Sequence, residues 1–302
     1  MSTQHYLRKG RKTVESGKRV AAKFADLYRG EWFALFGMAI LLMLTFTAMF
    51  APFIAPYEPS ERHSGEDGDL LRYDAPSSDH LLGTTEAGRD VLSQVIFGTR
   101  VSLSVGLAAA IMATFIGTNM ALVGGYYRGW LDEVFMRGVD IAYGLPFIPL
   151  AIVVIHIFGA SLTNIILVIA LVMWRSSART LRSEVLTQKE RPYIESAKAI
   201  GVSDFRLLYI HILPNILPLV VLYTAFGVAW AILWESSLAF LGFGDPDMYS
   251  WGHMINRAYT TGGFEIAPWW VIPPGICIML TVMSVFFIGR SLEKITDPEL
   301  TK

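Results

Sequence analysis

The sequence has 302 residues, of which 53% are hydrophobic and only 17% charged, with a formal net charge of -1. A balance this apolar excludes an ordinary water-soluble domain, and no nucleic acid is expected among the partners. The single cysteine, Cys277, lies in an apolar run, excludes an intrachain disulfide or a cysteine metal cluster, and reads as a small buried side chain.

Residues 1–31 carry Arg8, Lys9, Arg11, Lys12, Lys18, Arg19, Lys23 and Arg29 ahead of the first apolar run. Such a basic segment is expected to stay in the cytoplasm, and it lacks the small-residue cleavage site of a signal peptide. The first span is predicted at Trp32 to Ile54, within a unit at 32–55, since a helix needs about 20 apolar residues to cross the hydrocarbon. Residues 56–100 then form an external loop rich in turns, with Glu58, Glu61, Glu66, Asp67, Asp69, Asp74 and Asp79. Its acidity reads as a solvated surface, with attraction of a cationic ligand or basic partner as the alternative. Arg89 and Asp90 either pair locally to shape this loop or meet a solute-delivering protein.

Residues 101–290 form the core. Its second span is predicted at Val101 to Val123, with Gly106, Ala110, Ala113 and Gly117 on one face for close helix packing. The third span, Val139 to Phe158, is broken by Gly144-Leu145-Pro146, and its lone His156 reads as a satisfied interhelical histidine rather than a metal ligand or proton relay. The fourth is predicted at Thr163 to Trp174, with helix continuing through Ser176 and Ser177. The fifth covers Asn215 to Phe240, and the sixth Ala267 to Ile288, entered past Trp269 and Trp270 as interfacial anchors. Pro146, Pro149, Pro273 and Pro274 remove backbone donors that neighbouring helices or cavity water must replace. With both ends inside, a tail at 291–302 included, 20 of the 25 Lys/Arg fall on the cytoplasmic side. The fold class is an all-α polytopic membrane protein of about six transmembrane helices, with cytoplasmic N and C termini.

The segment between the fourth and fifth spans, 175–213, carries seven basic residues and reads as structured. Pro192 suits a first helical turn, Ile194, Ala197 and Ile200 repeat at helical spacing, Gly201 ends the helix, and Ser203 and Asp204 start a second one. A protruding helix-glycine-helix of this kind suits docking in a groove of another protein.

Glu195-Ser196-Ala197, three residues, Gly201, nine residues, then His211-Ile212-Leu213-Pro214 closely resembles the EAA loop of ATP-binding-cassette importer permeases, with Ser196 in place of an alanine. Leu82-Gly83-Thr84-Thr85-Glu86-Ala87-Gly88-Arg89-Asp90-Val91 resembles the external element of the dipeptide, oligopeptide and nickel branch, with Thr85 replacing its first aspartate. Glu235-Ser236-Ser237-Leu238-Ala239-Phe240-Leu241-Gly242 and Ser250-Trp251-Gly252 continue the likeness to the C-type permease of that branch. The resemblance implies a type I importer permease fold in the cytoplasmic membrane of a bacterium or archaeon. It also implies a second homologous permease subunit, two ATP-binding-cassette ATPases and an extracytoplasmic solute-binding protein as partners. On this likeness Glu195, Ser196, Ala197, Gly201, His211, Leu213 and Pro214 are the ATPase-coupling residues.

Glu235 lies inside the fifth span, where a carboxylate needs partners or water; it reads as a structural hydrogen-bonding anchor, with Ser236, Ser237 or a partner subunit as donors, or as a line on the translocation path. There is no catalytic residue set, since neither an HExxH helix nor a G-x-S-x-G turn occurs, and no metal site. Gly17-Lys18-Arg19 is not a P-loop, so the chain is expected to bind no cofactor, with ATP and Mg held by the partner ATPases. An ion-gradient-driven secondary transporter is the rival reading; it would be favoured by internal repeat symmetry, of which the sequence carries none strong enough to use.

Overall fold

The computed structural model describes residues 32–296. The basic segment at 1–31 and the last six residues of the tail lie outside the described residues. The rest is almost wholly helical, and the extended contacts among the described residues are two isolated bridges, Ser64 with Leu70 and Thr84 with Asp90.

Helix α1 (Trp32–Ile54) is the predicted first span. The second, α2 (Val91–Tyr127), begins ten residues before its predicted start, because Asp90 caps it by accepting hydrogen bonds from the backbone N–H and the hydroxyl of Ser93, both at 2.7 Å. At 1.5 Å per residue α2 is about 55 Å long, well beyond the hydrocarbon thickness of about 30 Å, so part of it lies outside the hydrocarbon. The third predicted span is a pair, α3 (Gly129–Gly144) and α4 (Phe147–Phe158), bent by 93° at Leu145-Pro146. Helix α5 (Leu162–Lys189) continues far past Trp174. The first 15 residues of the predicted 175–213 loop therefore belong to α5.

A short helix, α6 (Pro192–Ala199), is followed by α7 (Asp204–Phe243), which contains wider π turns at Leu207–Ile212 and Ala239–Phe243. Pro214 has no N–H for the carbonyl four residues back, and the Asn215 side chain donates to the His211 carbonyl at 2.6 Å. Helices α8 (Trp251–Thr260) and α9 (Gly263–Ile266) lead into α10 (Pro268–Thr296), which carries Pro273 and Pro274 inside it. Among the described residues, five helices are long and apolar enough to cross a membrane, or six if the bent pair is one span.

Helices α2, α5 and α7 form the centre, and α1 and α10 pack together on one side. The small residues of α2 make this possible. A Cβ on Gly106 would stand 2.5 Å from Cγ1 of Ile232, and one on Gly117 would meet the Ser177 hydroxyl and the Trp174 carbonyl. Gly227 of α7 faces Ala110 in the same way. Val105, Ala109, Ile165, Ile169 and Ala231 fill the middle of this packing.

The loop before α2 ends at Asp90, and its seven named acidic side chains are all exposed, as a solvated surface requires. Arg89 and Asp90 do not pair. Asp90 binds Ser93 and, at 3.0 Å, the His80 ring, whereas the Arg89 guanidinium carbon lies 6.0 Å from the Tyr249 ring centre. Trp270 is not an interfacial anchor either: it is buried against Val91, Val95, Met254 and Ala258, while Trp269 is half-buried at the edge of the same cluster. His156 is exposed on α4, with no hydrogen-bond partner among the described residues, and Cys277 is half-buried in α10.

Candidate functional site

The site lies at the end of the bundle opposite the acidic loop, where α2 ends, α5 ends and α7 begins. The eight residues of α6 are too few to hold a helix alone. Its form comes from docking. Ile194 and Ala197 insert into a cluster with Leu122, Tyr126, Val185, Leu207 and Ile212. Full burial of Ile194 alone contributes about 2 kcal/mol.

Gly201 ends α6 with φ +81°, its N–H donating to the Lys198 carbonyl at 3.0 Å and the N–H of Val202 to the Ala197 carbonyl at 3.1 Å. These two bonds make a Schellman closure, and the left-handed residue in it favours glycine on backbone grounds, since a Cβ there would meet nothing within 4 Å. Val202 then packs on the same cluster as Ala197.

The opposite face of the element is open. Glu195 and Ser196 are exposed; the Ser196 hydroxyl donates to the Pro192 carbonyl at 2.9 Å, and Glu195 has no polar partner among the described residues. Ile200 is 82% exposed and Phe205 68%, a pair of large apolar side chains flanking the turn at Gly201. His211 and Leu213 are half-buried and Pro214 exposed, all three where α7 enters the bundle. The structure thus gathers the seven predicted residues in one region, Ala197 facing inward and Glu195, Ser196 and Gly201 outward.

Several residues that hold this element were not singled out from sequence. The Tyr126 hydroxyl donates to the Asp204 carboxylate at 2.6 Å, the ammonium of Lys189 donates to the Tyr126 carbonyl at 2.6 Å, and Lys189 and Lys198 both lie over the Tyr126 ring. Beside it, Arg182 of α5 grips Asp132 of α3 with two hydrogen bonds of 2.5 Å, Arg179 pairs with Asp140, and Arg175 donates to the Ala142 carbonyl. The three arginines of α5 are therefore committed to α3.

Glu235 sits elsewhere, buried where α7 meets the N-terminus of α8. It accepts from the hydroxyls of Ser236 at 3.3 Å and of Ser102 in α2 at 3.4 Å, and the Ser250 hydroxyl faces it as well. Ser237 is not among its donors and bonds the Leu233 carbonyl instead. Ser250 caps α8, Trp251 is fully buried with its indole N–H toward the Val95 carbonyl, and Gly252 lies directly on the Ser236 backbone. The stretches Glu235–Gly242 and Ser250-Trp251-Gly252 are thus one joint, whose helix N-terminus favours a carboxylate.

Over residues 113–302 the sequence matches the family model described as binding-protein-dependent transport system inner membrane component. Over residues 28–76 it matches the N-terminal TM domain of oligopeptide transport permease C. It is 36% identical over 265 residues to the glutathione transport system permease protein GsiD of Pectobacterium atrosepticum, covering 87% of this chain and 86% of that one. Dipeptide transport system permease proteins DppC are also similar. That of Haemophilus influenzae is 36% identical over 271 residues, covering 88% of this chain and 90% of its own, and that of Alkalihalophilus pseudofirmus is 35% identical over 268 residues, covering 88% and 86%.

Proposed function

The chain belongs to the family of binding-protein-dependent transport system inner membrane components, multi-pass permeases of the cytoplasmic membrane, and from that premise we propose that it forms part of the translocation path of an ATP-driven importer for peptides or a small peptide-like solute. The names of its relatives, which transport dipeptides or glutathione, support that class of substrate. In this reading both termini are cytoplasmic, following the bias of Lys and Arg along the sequence. A second permease completes the path, an extracytoplasmic binding protein delivers solute, and ATP with Mg is held by two partner ATPases. This chain contributes no catalytic residue.

The observation that carries the coupling role is the two-sidedness of α6. Its inner face, Ile194 and Ala197, is locked to the ends of α2, α5 and α7, while Glu195, Ile200 and Phe205 project outward beside it. A push on the outer face is delivered to three core helices at once. Closure of the ATPases against residues Glu195 to Gly201 would then rock the bundle between inward and outward openings. Glu235, inside its ring of hydroxyls, acts in this scheme as the anchor of α8 on the bundle rather than as a solute ligand.

The test is co-purification from mild detergent of the ATPase and second permease with wild type, Glu195→Lys and Gly201→Asp. Glu195 is exposed and unpartnered within the described residues, so its reversal leaves the chain folded. Loss of the ATPase and of peptide uptake, with the second permease retained, supports the assignment. Normal uptake by Glu195→Lys would reject the coupling role.

A further inference from the structure

We propose that the groove between α1, α2, α7 and α10 is a binding site for one anionic phospholipid, with its phosphate against Arg100 and an acyl chain along the apolar wall. The cavity holds about 550 Å³, within the roughly 300 to 1,000 Å³ of sites that take small ligands. Leu41, Thr45 and Ala48 of α1 face Leu103 and Leu107 of α2 across it, so it follows the helix axes for about 10 Å. The hydroxyls in its wall are already used: Thr45 donates to the Leu41 carbonyl at 2.7 Å and Ser104 to the Val101 carbonyl at 2.8 Å. What remains is an apolar slot with one charge.

That charge is Arg100. It is exposed, no acidic side chain lines the cavity, and Arg100 has no ion pair or hydrogen-bond partner among the described residues. Its depth is fixed by the burial of the helix before it. Val91, Val95 and Gln94 are buried under the acidic loop and α8, and Arg100 is the first exposed residue of α2, directly before the uncharged run that begins at Val101. An unpaired guanidinium at that boundary faces the headgroup layer, and its planar fork matches phosphate oxygens. Helix α1, the least buried of the spans, leaves the slot open toward lipid. Charge, depth and an apolar wall together select a phospholipid over a soluble anion, which would have no use for the slot.

The test places the purified complex in nanodiscs of equal phosphatidylglycerol and phosphatidylcholine, releases it for native mass spectrometry, and compares wild type with Arg100→Gln and Ala48→Trp. Wild type is expected to retain one phosphatidylglycerol in preference to phosphatidylcholine by about fivefold, the effect of one arginine at an anionic surface. Arg100→Gln should lose the preference, and Ala48→Trp, which fills the slot, should lose the lipid. A photo-crosslinking side chain at Thr45 should label phospholipid. Equal retention by wild type and Arg100→Gln, no retained lipid on wild type, or crosslinking of Thr45 to a second protein chain would each overturn the proposal.

Discussion

The hydroxyl of Tyr126, one residue from the end of α2, donates a 2.6 Å hydrogen bond to the carboxylate of Asp204, the first residue of α7. The same tyrosine lies under Lys189 and Lys198, so one side chain joins four helices at the base of α6. Tyr126→Phe keeps the ring and removes only the bond. It is expected to destabilise α6 and the start of α7 by about 1 kcal/mol, the bond being to a charged but exposed acceptor. Faster amide hydrogen exchange across residues 192–210 checks this, and unchanged exchange there would show that the bond carries no weight.

Gly201 is needed for its backbone rather than for space. Gly201→Asn should be nearly neutral, since asparagine tolerates the left-handed region, whereas Gly201→Val should cost more than 1 kcal/mol through strain at that turn. Thermal unfolding of the three proteins in one detergent orders them. A valine variant as stable as wild type would mean that the Schellman closure is dispensable.

The Arg182 and Asp132 pair is partly buried, with side chains 29% and 12% exposed. Arg182→Gln leaves the Asp132 charge without its partner and is predicted to cost about 2 kcal/mol. Adding Asp132→Asn should recover part of that loss, because the stranded charge is then gone. A double-mutant cycle on thermal stability measures the coupling directly, and strict additivity would deny the pair any role in holding α3 to α5.

At the joint between α7 and α8, a Cβ on Gly252 would stand 2.5 Å from the Ser236 carbonyl oxygen. A backbone cannot step aside as a side chain end can. Gly252→Ala should therefore shift α8, disturb the hydroxyls around Glu235 and cost about 1–3 kcal/mol. Retention time and melting temperature of the solubilised variant report it; a wild-type profile would mean that α8 rides loosely on the bundle.

Much of this was legible in the sequence where a local rule governs. The boundaries of α1, the glycine stop at Gly201, the start of α7 at Asp204 and the break at Gly144-Leu145-Pro146 follow from hydropathy, capping and proline, and the structure places each within a few residues. The seven residues proposed to couple to the ATPase were singled out by likeness to a motif, and the burial of Ala197 beside the exposure of Glu195 follows from helical spacing. What the sequence could not reveal depends on crossings between distant helices. Asp132 and Arg182 are 50 residues apart, and only the packing of α3 on α5 brings them together. Arg89 and Asp90 are neighbours that looked like a pair, yet the capping of α2 claims Asp90 and turns it away. Trp270 looked interfacial because hydropathy cannot tell a lipid headgroup from a folded loop lying over the helix end. The α2 start was misplaced for the same reason, since Val91 to Arg100 is helix outside the apolar run.

Helix α6 owes its shape to the surface beneath it, being shorter than the roughly 12–15 residues an isolated helix needs in water. A synthetic peptide copying residues 191–202 would leave that shape behind and meet any receptor as an unfolded chain. Used as a competitor, it would bind more weakly than the intact protein by the cost of ordering its backbone, so a blocking reagent aimed at this contact would have to bring its own scaffold, by stapling or by grafting onto a longer helix.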